Sequence, residues 1–184
     1  MNQWRDCIVV LIDLIGVKTR ALEGNSTASR LMRSLHKLVR REMAGNLAVL
    51  DHAYVWNDSV LLLGYVDDRP KTYESALHAA DDLKRKVDVI ARSYAIAVKG
   101  RAFPSNAAPD APRVTVISAS SWAMANCFEI EAEAKCRKLR NAWYVDVRIA
   151  REVRAAKALH WFSIRFWPHR KRRRVYIHDG YLWN

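Results

Sequence analysis

Two aspartates stand at places in the sequence where apolar strands are expected to end. Asp13 interrupts CIVVLIDLI (residues 7–15), a near-continuous apolar run typical of a strand that is buried on both faces. Asp58 follows Trp56-Asn57 at the joint of two strand-like runs within residues 51–66, where a hairpin usually turns on Asn-Gly or Asp-Gly. Each aspartate is therefore either a turn-forming or strand-capping residue, or a group that does chemistry.

The chemistry that suits such a pair is divalent cation binding. Two buried acids that lie close together repel each other, and burial raises the pKa of each, whereas a divalent cation removes both penalties. Mg²⁺ and Mn²⁺ bind through one or two carboxylates together with the phosphates of a substrate. If the fold brings Asp13 and Asp58 together, the pair predicts metal-dependent chemistry on a phosphate.

The elements around the aspartates predict that they do meet. After the first strand, Gly24-Asn25-Ser26 supplies a turn and an N-cap, and apolar residues at helical spacing predict a helix that ends near Gly45. The hairpin follows, then a second helix over residues 72–94 and a strand at AIAVKG (95–100). This order predicts an α+β, ferredoxin-like antiparallel sheet with helices on one face, in which the first strand and the hairpin lie side by side.

The rest of the chain extends this core. The sequence predicts a proline-containing loop (104–112), an extended RVTVIS segment (113–118), a helix through SSWAMANCFEIEAEAK with Ser120 or Ser121 as N-cap, and a strand at WYVDVRI (143–149). LHWFSIRFW and RRVYIHDGYLW predict two extra C-terminal strands. We therefore expect a catalytic domain over residues 1–157 and a basic, aromatic extension over 158–184 packed on the same domain.

Charge and cysteine content narrow the class of partner and the compartment. The chain carries 31 Lys and Arg against 19 Asp and Glu, a net charge of +12, which indicates an anionic partner such as a nucleotide, a nucleic acid or a membrane surface. The charge is densest in HRKRRR (169–174) and along residues 30–41, where a solvated helix face is the alternative. Three cysteines without metal-ligand spacing and no apolar run of membrane-spanning length favour the cytoplasm, without stable membrane insertion.

Three blocks of the sequence resemble a known enzyme family. IDLIGVK, VWNDSVLLL and FEIEAEAKCRKLRNAWYVD are similar, in order and separation, to blocks of class III nucleotide cyclases, specifically the pyrimidine cyclases of the Pycsar anti-phage system, over roughly residues 6–150. The resemblance implies that Asp13 and Asp58 bind two Mn²⁺ or Mg²⁺ ions per active site, helped by the backbone carbonyl of Leu14. It also implies a homodimer with active sites at the interface, which converts UTP or CTP to a cyclic monophosphate that a separate effector reads.

The sequence departs from that family at several positions. Many class III cyclases carry an Asn followed four residues later by an Arg, but here Asn126 is followed by Ile130, and Lys135 is the nearest downstream cation. Tyr54 stands where purine cyclases often carry a base-reading Lys, which agrees with a pocket for the smaller pyrimidine ring. The expected nucleotide-binding residues are thus Tyr54, Asn126 and Lys135, with Lys18, Arg20 and Lys99 as candidate phosphate ligands.

Two other functions remain compatible with the sequence alone. A palm-type cyclic oligonucleotide synthase uses a similar sheet and two acids, although the joint WNDS lacks the Gly-Gly-Asp-Asp pattern of that class. A non-catalytic nucleic-acid-binding domain would use the basic segments and the aromatic residues beside HRKRRR. The second alternative leaves Asp13 and Asp58 unexplained, since acids weaken phosphate binding in the absence of a metal.

Overall fold

The computed structural model describes residues 4–22, 26–45, 49–66, 72–102, 121–136, 141–152, 162–166 and 173–183. In chain order the elements are β1 (Arg5–Leu14), α1 (Val17–Leu22), α2 (Ser26–Met43), β2 (His52–Trp56), β3 (Ser59–Tyr65), α3 (Tyr73–Ile90), β4 (Ser93–Ala102), α4 (Trp122–Cys136), β5 (Ala142–Asp146), α5 (Val147–Glu152), β6 (Phe162–Phe166) and β7 (Arg173–Asp179). In the part of the chain covered by these ranges, no helix is both long and apolar enough to cross a membrane.

One seven-stranded sheet with the order β2-β3-β1-β4-β5-β7-β6 runs through the molecule. The first four strands in this order are antiparallel to their neighbours and, with α2 and α3, form the predicted ferredoxin-like core. β5 then joins parallel to β4, and the hairpin of β6 and β7 joins antiparallel to β5. The two C-terminal runs therefore form strands of the same sheet; the division of the chain at residue 157 stays a prediction.

The two faces of the sheet carry separate apolar cores. Alternate residues of β1, among them Ile8, Val10 and Ile12, pack on one face against α2, α3 and α5. The intervening residues, among them Val9 and Leu11, pack on the other face against α4. β1 is buried almost throughout because helices cover it on both sides. The helices of the ferredoxin-like core share one face as predicted, and α4 covers the opposite one.

The path of α4 across that face is fixed at its beginning. Ser121 caps the helix, since its Oγ accepts hydrogen bonds from the backbone N–H groups of Ala123 (3.1 Å) and Met124 (3.2 Å). Ala123 lies so close to β4 that a Cβ built on Gly100 would come within 2.8 Å of the Ala123 Cβ. Gly100 thus lets the helix approach near the end of β4, and the helix then runs back toward the start of that strand.

Several element boundaries differ from the sequence predictions. The predicted strand 143–149 ends at Asp146, because Asp146 caps a short helix: its Oδ1 accepts a hydrogen bond from the backbone N–H of Arg148 (2.8 Å). The helix predicted to reach residue 94 ends at Ile90, and β4 already begins at Ser93. The helix α1 was not predicted. Cys7 and Cys127 are buried as expected, whereas Cys136 is exposed. Residues 103–120, which include RVTVIS, lie outside the described residues.

Buried polar groups tie the C-terminal segment to α3. Asp81, whose surface is 1% exposed, accepts hydrogen bonds from the indole of Trp143 (2.8 Å) and from the backbone N–H groups of Leu182 (2.9 Å) and Trp183 (3.3 Å). One turn further along α3, the fully buried Lys84 donates to Asp88 (2.7 Å) and to Asn141 (2.6 Å). Every one of these contacts joins a donor to an acceptor, so the cluster is neutralised internally.

Candidate active site

Asp13 lies at the centre of a row of three polar side chains on adjacent strands. In the register of the sheet Asp13 pairs with Ser59 of β3 on one side and with Tyr94 of β4 on the other. Paired residues of neighbouring strands point to the same face, so the three side chains meet beneath α4. Ser59 Oγ donates to Asp13 Oδ1 (2.7 Å), and the Tyr94 hydroxyl donates to Asp13 Oδ2. Only 7% of the surface of Asp13 is exposed.

Asp58 lies in the two-residue turn between β2 and β3, directly beside the end of β1. Asn57 takes a left-handed conformation (φ +48°), which Asn tolerates better than most residues, so this turn needs no glycine. The turn is held from two sides. Its Asp58 carbonyl accepts a hydrogen bond from the backbone N–H of Leu14 (3.1 Å), and the ring of His36 on α2 bonds to the Asn57 carbonyl (2.9 Å).

The two carboxylates lie close enough to influence each other. Burial raises the pKa of Asp13, and the negative charge of Asp58 raises this pKa further. Hydrogen bonds from Tyr94 and Ser59 and the charge of Lys135 act in the opposite direction, but the pKa stays above its ordinary value. The structure thus brings together Asp13, Leu14 and Asp58, the three residues that the resemblance implies as metal ligands. A bound cation would neutralise the negative charge of the two carboxylates.

The helix α4 adds an acid and a base to this site. Glu131 Oε1 lies 2.7 Å from the Tyr94 hydroxyl, which also contacts Asp13. Lys135 Nζ lies 2.6 Å from Glu131 Oε1 and 3.9 Å from Asp13 Oδ2. Burial lowers the pKa of Lys135, but the hydrogen bond and charge of Glu131, followed by the charges of Asp13 and Asp58, outweigh this and raise it. Lys135, expected to contact nucleotide, therefore lies beside the carboxylates.

The donor set suits a cation that takes few ligands from the protein. Within the described ranges, no group of three or more His, Cys, Asp and Glu side chains is arranged to hold a metal ion. Asp13 and Asp58 provide two carboxylates, and each carboxylate oxygen has two lone pairs, so the hydrogen bonds to Asp13 leave acceptor sites open. Mg²⁺ and Mn²⁺ keep water or phosphate oxygens as their other ligands, so the residues present fit these ions.

Aromatic side chains border the site on the hairpin. Tyr54 pairs with Leu61 and lies, half buried, on the face that α4 covers. Trp56 lies on the same face two residues further on, and its ring centroid is 6.2 Å from that of Phe128 on α4. Trp56 is 38% exposed and Trp122 is 71% exposed. These two tryptophans therefore lie at the surface, whereas Tyr54 packs on the core.

The other predicted residues lie at varying distances from the carboxylates. Asn126 is half buried on α4, five residues and thus about 7.5 Å along the axis before Glu131. Lys18 and Arg20 lie in α1, directly after β1; Arg20 is exposed, and the side chain of Lys18 is outside the described part.

Lys99 is not near the carboxylates of its own chain. It lies five residues, about 17 Å, along β4 from Tyr94, and its Nζ sits over the ring of Tyr73 (4.6 Å). Because β1 and β4 are antiparallel, the start of β4, and not its end, meets the end of β1.

Ser59, Tyr94 and Glu131 were missed as site residues by sequence reasoning. Ser59 and Tyr94 become neighbours of Asp13 only through the register of the sheet. Glu131 belongs to FEIEAEAK, where alternating acids look like an exposed helix face. Its spacing of four residues from Lys135 was the one available signal that these two side chains interact.

Solved structures of nucleotide cyclases share this fold over nearly the whole chain. The adenylyl cyclase CyaB from P. aeruginosa matches with a TM-score of 0.65 and 7% sequence identity, over 97% of this chain and 95% of that chain. The guanylyl cyclase Cya2 matches with a TM-score of 0.64 and 11% identity, over 98% and 94% of the two chains. The dimeric guanylyl cyclase domain of the RhoGC fusion protein from the aquatic fungus Blastocladiella emersonii matches with a TM-score of 0.64 and 11% identity, over 96% and 97%.

At these identities the likeness extends to the fold alone. No protein-family model and no curated protein matches the sequence. The solved structures show that the chain has the fold of class III nucleotide cyclase domains, which confirms the predicted fold class.

Proposed function

We propose that this chain is a pyrimidine nucleotide cyclase, which converts UTP or CTP to the 3′,5′-cyclic monophosphate and pyrophosphate. One observation carries the proposal. In a fold shared with adenylyl and guanylyl cyclases, Asp13 and Asp58 lie together at the end of β1, and the charge of Asp58 raises the pKa of Asp13. One fold can host many different functions, so the proposed activity depends on the two aspartates and not on the shared fold.

The reaction joins the ribose 3′-oxygen to the α-phosphorus of the same nucleotide. The bond between the α-phosphorus and the bridging oxygen breaks, pyrophosphate leaves with the bonding electrons, and the hydroxyl proton passes to solvent. Two divalent ions, when bound, lower the pKa of the attacking hydroxyl and neutralise the phosphates. Asp13 and Asp58 would hold these ions together with the Leu14 carbonyl, and the hydrogen bonds from Ser59 and Tyr94 orient Asp13.

The other parts of the site serve binding and base selection. Tyr54 narrows the pocket toward a pyrimidine ring, and Asn126 contacts the ribose. The family resemblance supports a homodimer with active sites between the subunits. The RhoGC domain of the same fold is a non-canonical dimer, which supports dimerisation but not this arrangement. In such a dimer Lys18, which lies directly after β1, and Lys99, which is remote from the aspartates of its own chain, are the candidate phosphate ligands.

The biological role rests on the sequence resemblance to pyrimidine cyclases of anti-phage systems. The cyclic nucleotide is then a second messenger in the cytoplasm that a separate effector protein reads. The motifs IDLIGVK and VWNDSVLLL carry this part of the proposal.

The test incubates the purified chain with each of the four ribonucleoside triphosphates and Mn²⁺, and identifies the products by chromatography with mass detection. Wild type is expected to form a cyclic pyrimidine monophosphate, and Asp13→Ala and Asp58→Ala are expected to form none. Asp82→Ala, which removes a half-exposed acid from α3, is the matched control. A purine product would refute the base selection, a larger product would indicate a cyclic oligonucleotide synthase, and no product would refute the cyclase.

Nucleic-acid binding is a second candidate that the charge distribution favours. Five exposed cations follow one face of α2, namely Arg30, Arg33, Lys37, Arg40 and Arg41. The one acid of this helix, Glu42, is buried and bonded to Arg41 (3.1 Å) and Lys86 (2.6 Å). Salt-sensitive RNA binding that persists in the Asp58→Ala variant, in a chain that makes no cyclic nucleotide, would favour this function.

A further inference from the structure

Lys135 joins two acids of the site in a way that the proposed reaction does not require. Its Nζ is 2.6 Å from Glu131 Oε1 and 3.9 Å from Asp13 Oδ2, so one ammonium group interacts with both carboxylates. A divalent cation bound to Asp13 would place further positive charge beside this ammonium, and like charges repel. Lys135 and a metal ion therefore compete for Asp13.

Glu131 reaches the same place through Tyr94. The Tyr94 hydroxyl contacts Asp13 Oδ2 and Glu131 Oε1, but a phenol carries a single hydrogen and donates to one carboxylate at a time. While Tyr94 donates to Asp13, the donor that satisfies Glu131 is Lys135. Glu131 is thus a carboxylate directed at the metal-binding end of β1 that is neutralised by an exchangeable side chain.

The exposure of the three side chains shows which of them is free to leave. The Lys135 side chain is 54% exposed, whereas those of Glu131 and Asp13 are 16% and 9% exposed. The long aliphatic side chain of Lys135 lets its ammonium group move into solvent. This breaks an ion pair that is weak because water already screens it. Glu131 then loses its cation, and rotation of its side chain can turn its carboxylate toward Asp13.

We propose that Lys135 is an exchangeable internal cation of the site: divalent cation binding displaces it from Asp13, and Glu131 then joins Asp13 and Asp58 as a third carboxylate for the cation. This inference rests on the metal site of the proposed cyclase. It adds Glu131 to the metal-binding residues that the resemblance implies, and it makes Lys135 a residue that weakens metal binding in the absence of nucleotide.

The test measures Mn²⁺ affinity without nucleotide, by the electron paramagnetic resonance signal of free Mn²⁺, on the full chain. Lys135→Met is expected to bind Mn²⁺ about ten- to a hundredfold more tightly than wild type, and Lys135→Arg about as weakly as wild type. Adding Glu131→Gln to Lys135→Met is expected to remove most of the gain. Lys37→Met, which deletes an exposed lysine on α2, is the matched control and is expected to change nothing.

Each contrary outcome identifies what fails. Equal affinity of Lys135→Met and Lys37→Met would overturn the internal cation. A gain in Lys135→Met that persists after Glu131→Gln would overturn the role of Glu131. Asp58→Asn locates the site: if it abolishes Mn²⁺ binding while Lys135→Met has no effect, this inference fails and the proposed cyclase stands. If no variant binds Mn²⁺, or if Asp58→Asn binds it normally, the metal site of the proposed function fails as well.

Discussion

Asp13 and Asp81 are both buried aspartates, on opposite faces of the same sheet, and their partners differ in kind. Asp81 accepts hydrogen bonds from an indole and from two backbone N–H groups, donors that the fold holds in place, and from Arg85 (3.2 Å). Asp13 accepts from two hydroxyls, which rotate, and lies beside a second acid, Asp58, and a half-exposed lysine, Lys135. Burial alone therefore does not distinguish a structural acid from a functional one.

The difference lies in what each carboxylate lacks. Asp81 accepts hydrogen bonds on both carboxylate oxygens, so it stabilises the fold without any ligand. Asp13 has Asp58 as a source of repulsion and its pKa is raised, chiefly by burial. An acid that the fold leaves incompletely neutralised is a site for a cation, whereas one that the fold satisfies fully is a part of the core.

The largest expected effect is on stability, at Asp81. Asp81→Ala leaves the N–H donors of Trp143, Leu182 and Trp183 without their acceptor, which is expected to lower the free energy of unfolding by about 3–5 kcal/mol. Asp82→Ala, one residue away on the exposed side of α3, is expected to change it by less than about 0.5 kcal/mol. Chemical denaturation measures both. If Asp81→Ala lowers the free energy of unfolding no more than Asp82→Ala does, Asp81 is not a structural acid.

The next effect is on activity, at Tyr94. Tyr94→Phe keeps the ring but removes the hydroxyl between Asp13 and Glu131, and is expected to lower kcat about ten- to a hundredfold because Asp13 is no longer held in one orientation. Tyr65→Phe, in the same core cluster but at the other end of β3, serves as the control and is expected to keep full activity. Steady-state kinetics with the preferred nucleotide measures kcat for both variants. Equal kcat values would contradict a role of Tyr94 in orienting Asp13.

A smaller effect is expected where α4 rests on β4. Gly100→Ala forces a Cβ to within 2.8 Å of the Ala123 Cβ and is expected to cost about 1–3 kcal/mol of stability. Ala123→Gly in the same chain removes that contact and is expected to restore part of the loss. Gly45→Ala, where a Cβ meets nothing within 4 Å, is the control. Thermal unfolding compares all three, and an unchanged Gly100→Ala variant would show that α4 does not depend on this contact.

The smallest effect concerns pH. The pKa of Asp13 is raised in the folded state above 3.8, so its ionisation destabilises the fold, and this loss develops as pH rises from about 4 through the folded-state pKa. Asp13→Asn does not ionise, and its amide can donate to the Tyr94 oxygen. The stability of the variant relative to wild type is therefore expected to rise between pH 4 and pH 7. Chemical denaturation at both pH values measures the free energy of unfolding of the variant relative to wild type. A larger advantage of the variant at pH 4 than at pH 7 would contradict the raised pKa of Asp13.

The local parts of the candidate site could be predicted from the sequence. Asp13 is an acid in an apolar strand, and Asp58 lies in the turn of a hairpin. The pairing of β1 with β3 brings them together, so the local sequence pattern and the fold class were enough to predict that the two aspartates are neighbours. The late helix with Ser120 or Ser121 as N-cap was likewise predictable, because a cap depends on residues close in the sequence. The strand order of the core followed from the order of its elements along the chain.

The parts that join distant segments could not. Tyr94 is 81 residues from Asp13 and was assigned to the end of a helix, since nothing in VIARSY marks the boundary between α3 and β4. Lys99 was a candidate phosphate ligand, and only the register of the sheet shows that it lies far from Asp13 within one chain. The sequence alone makes Asp81 one more polar residue of an amphipathic helix, because its partners outside α3 lie 62 to 102 residues further on.

The bonds between Asp81 and the C-terminal segment also set an order for folding during synthesis. Asp81 acquires its last two donors only when residues 182 and 183 have left the ribosome, 101 and 102 residues after Asp81 itself. Until then α3 carries a carboxylate that the growing chain cannot bury without cost, even though β1, β3 and β4 are already complete. A nascent chain that pauses before residue 182 thus contains both candidate metal-binding aspartates while the opposite face of its sheet is still unfinished.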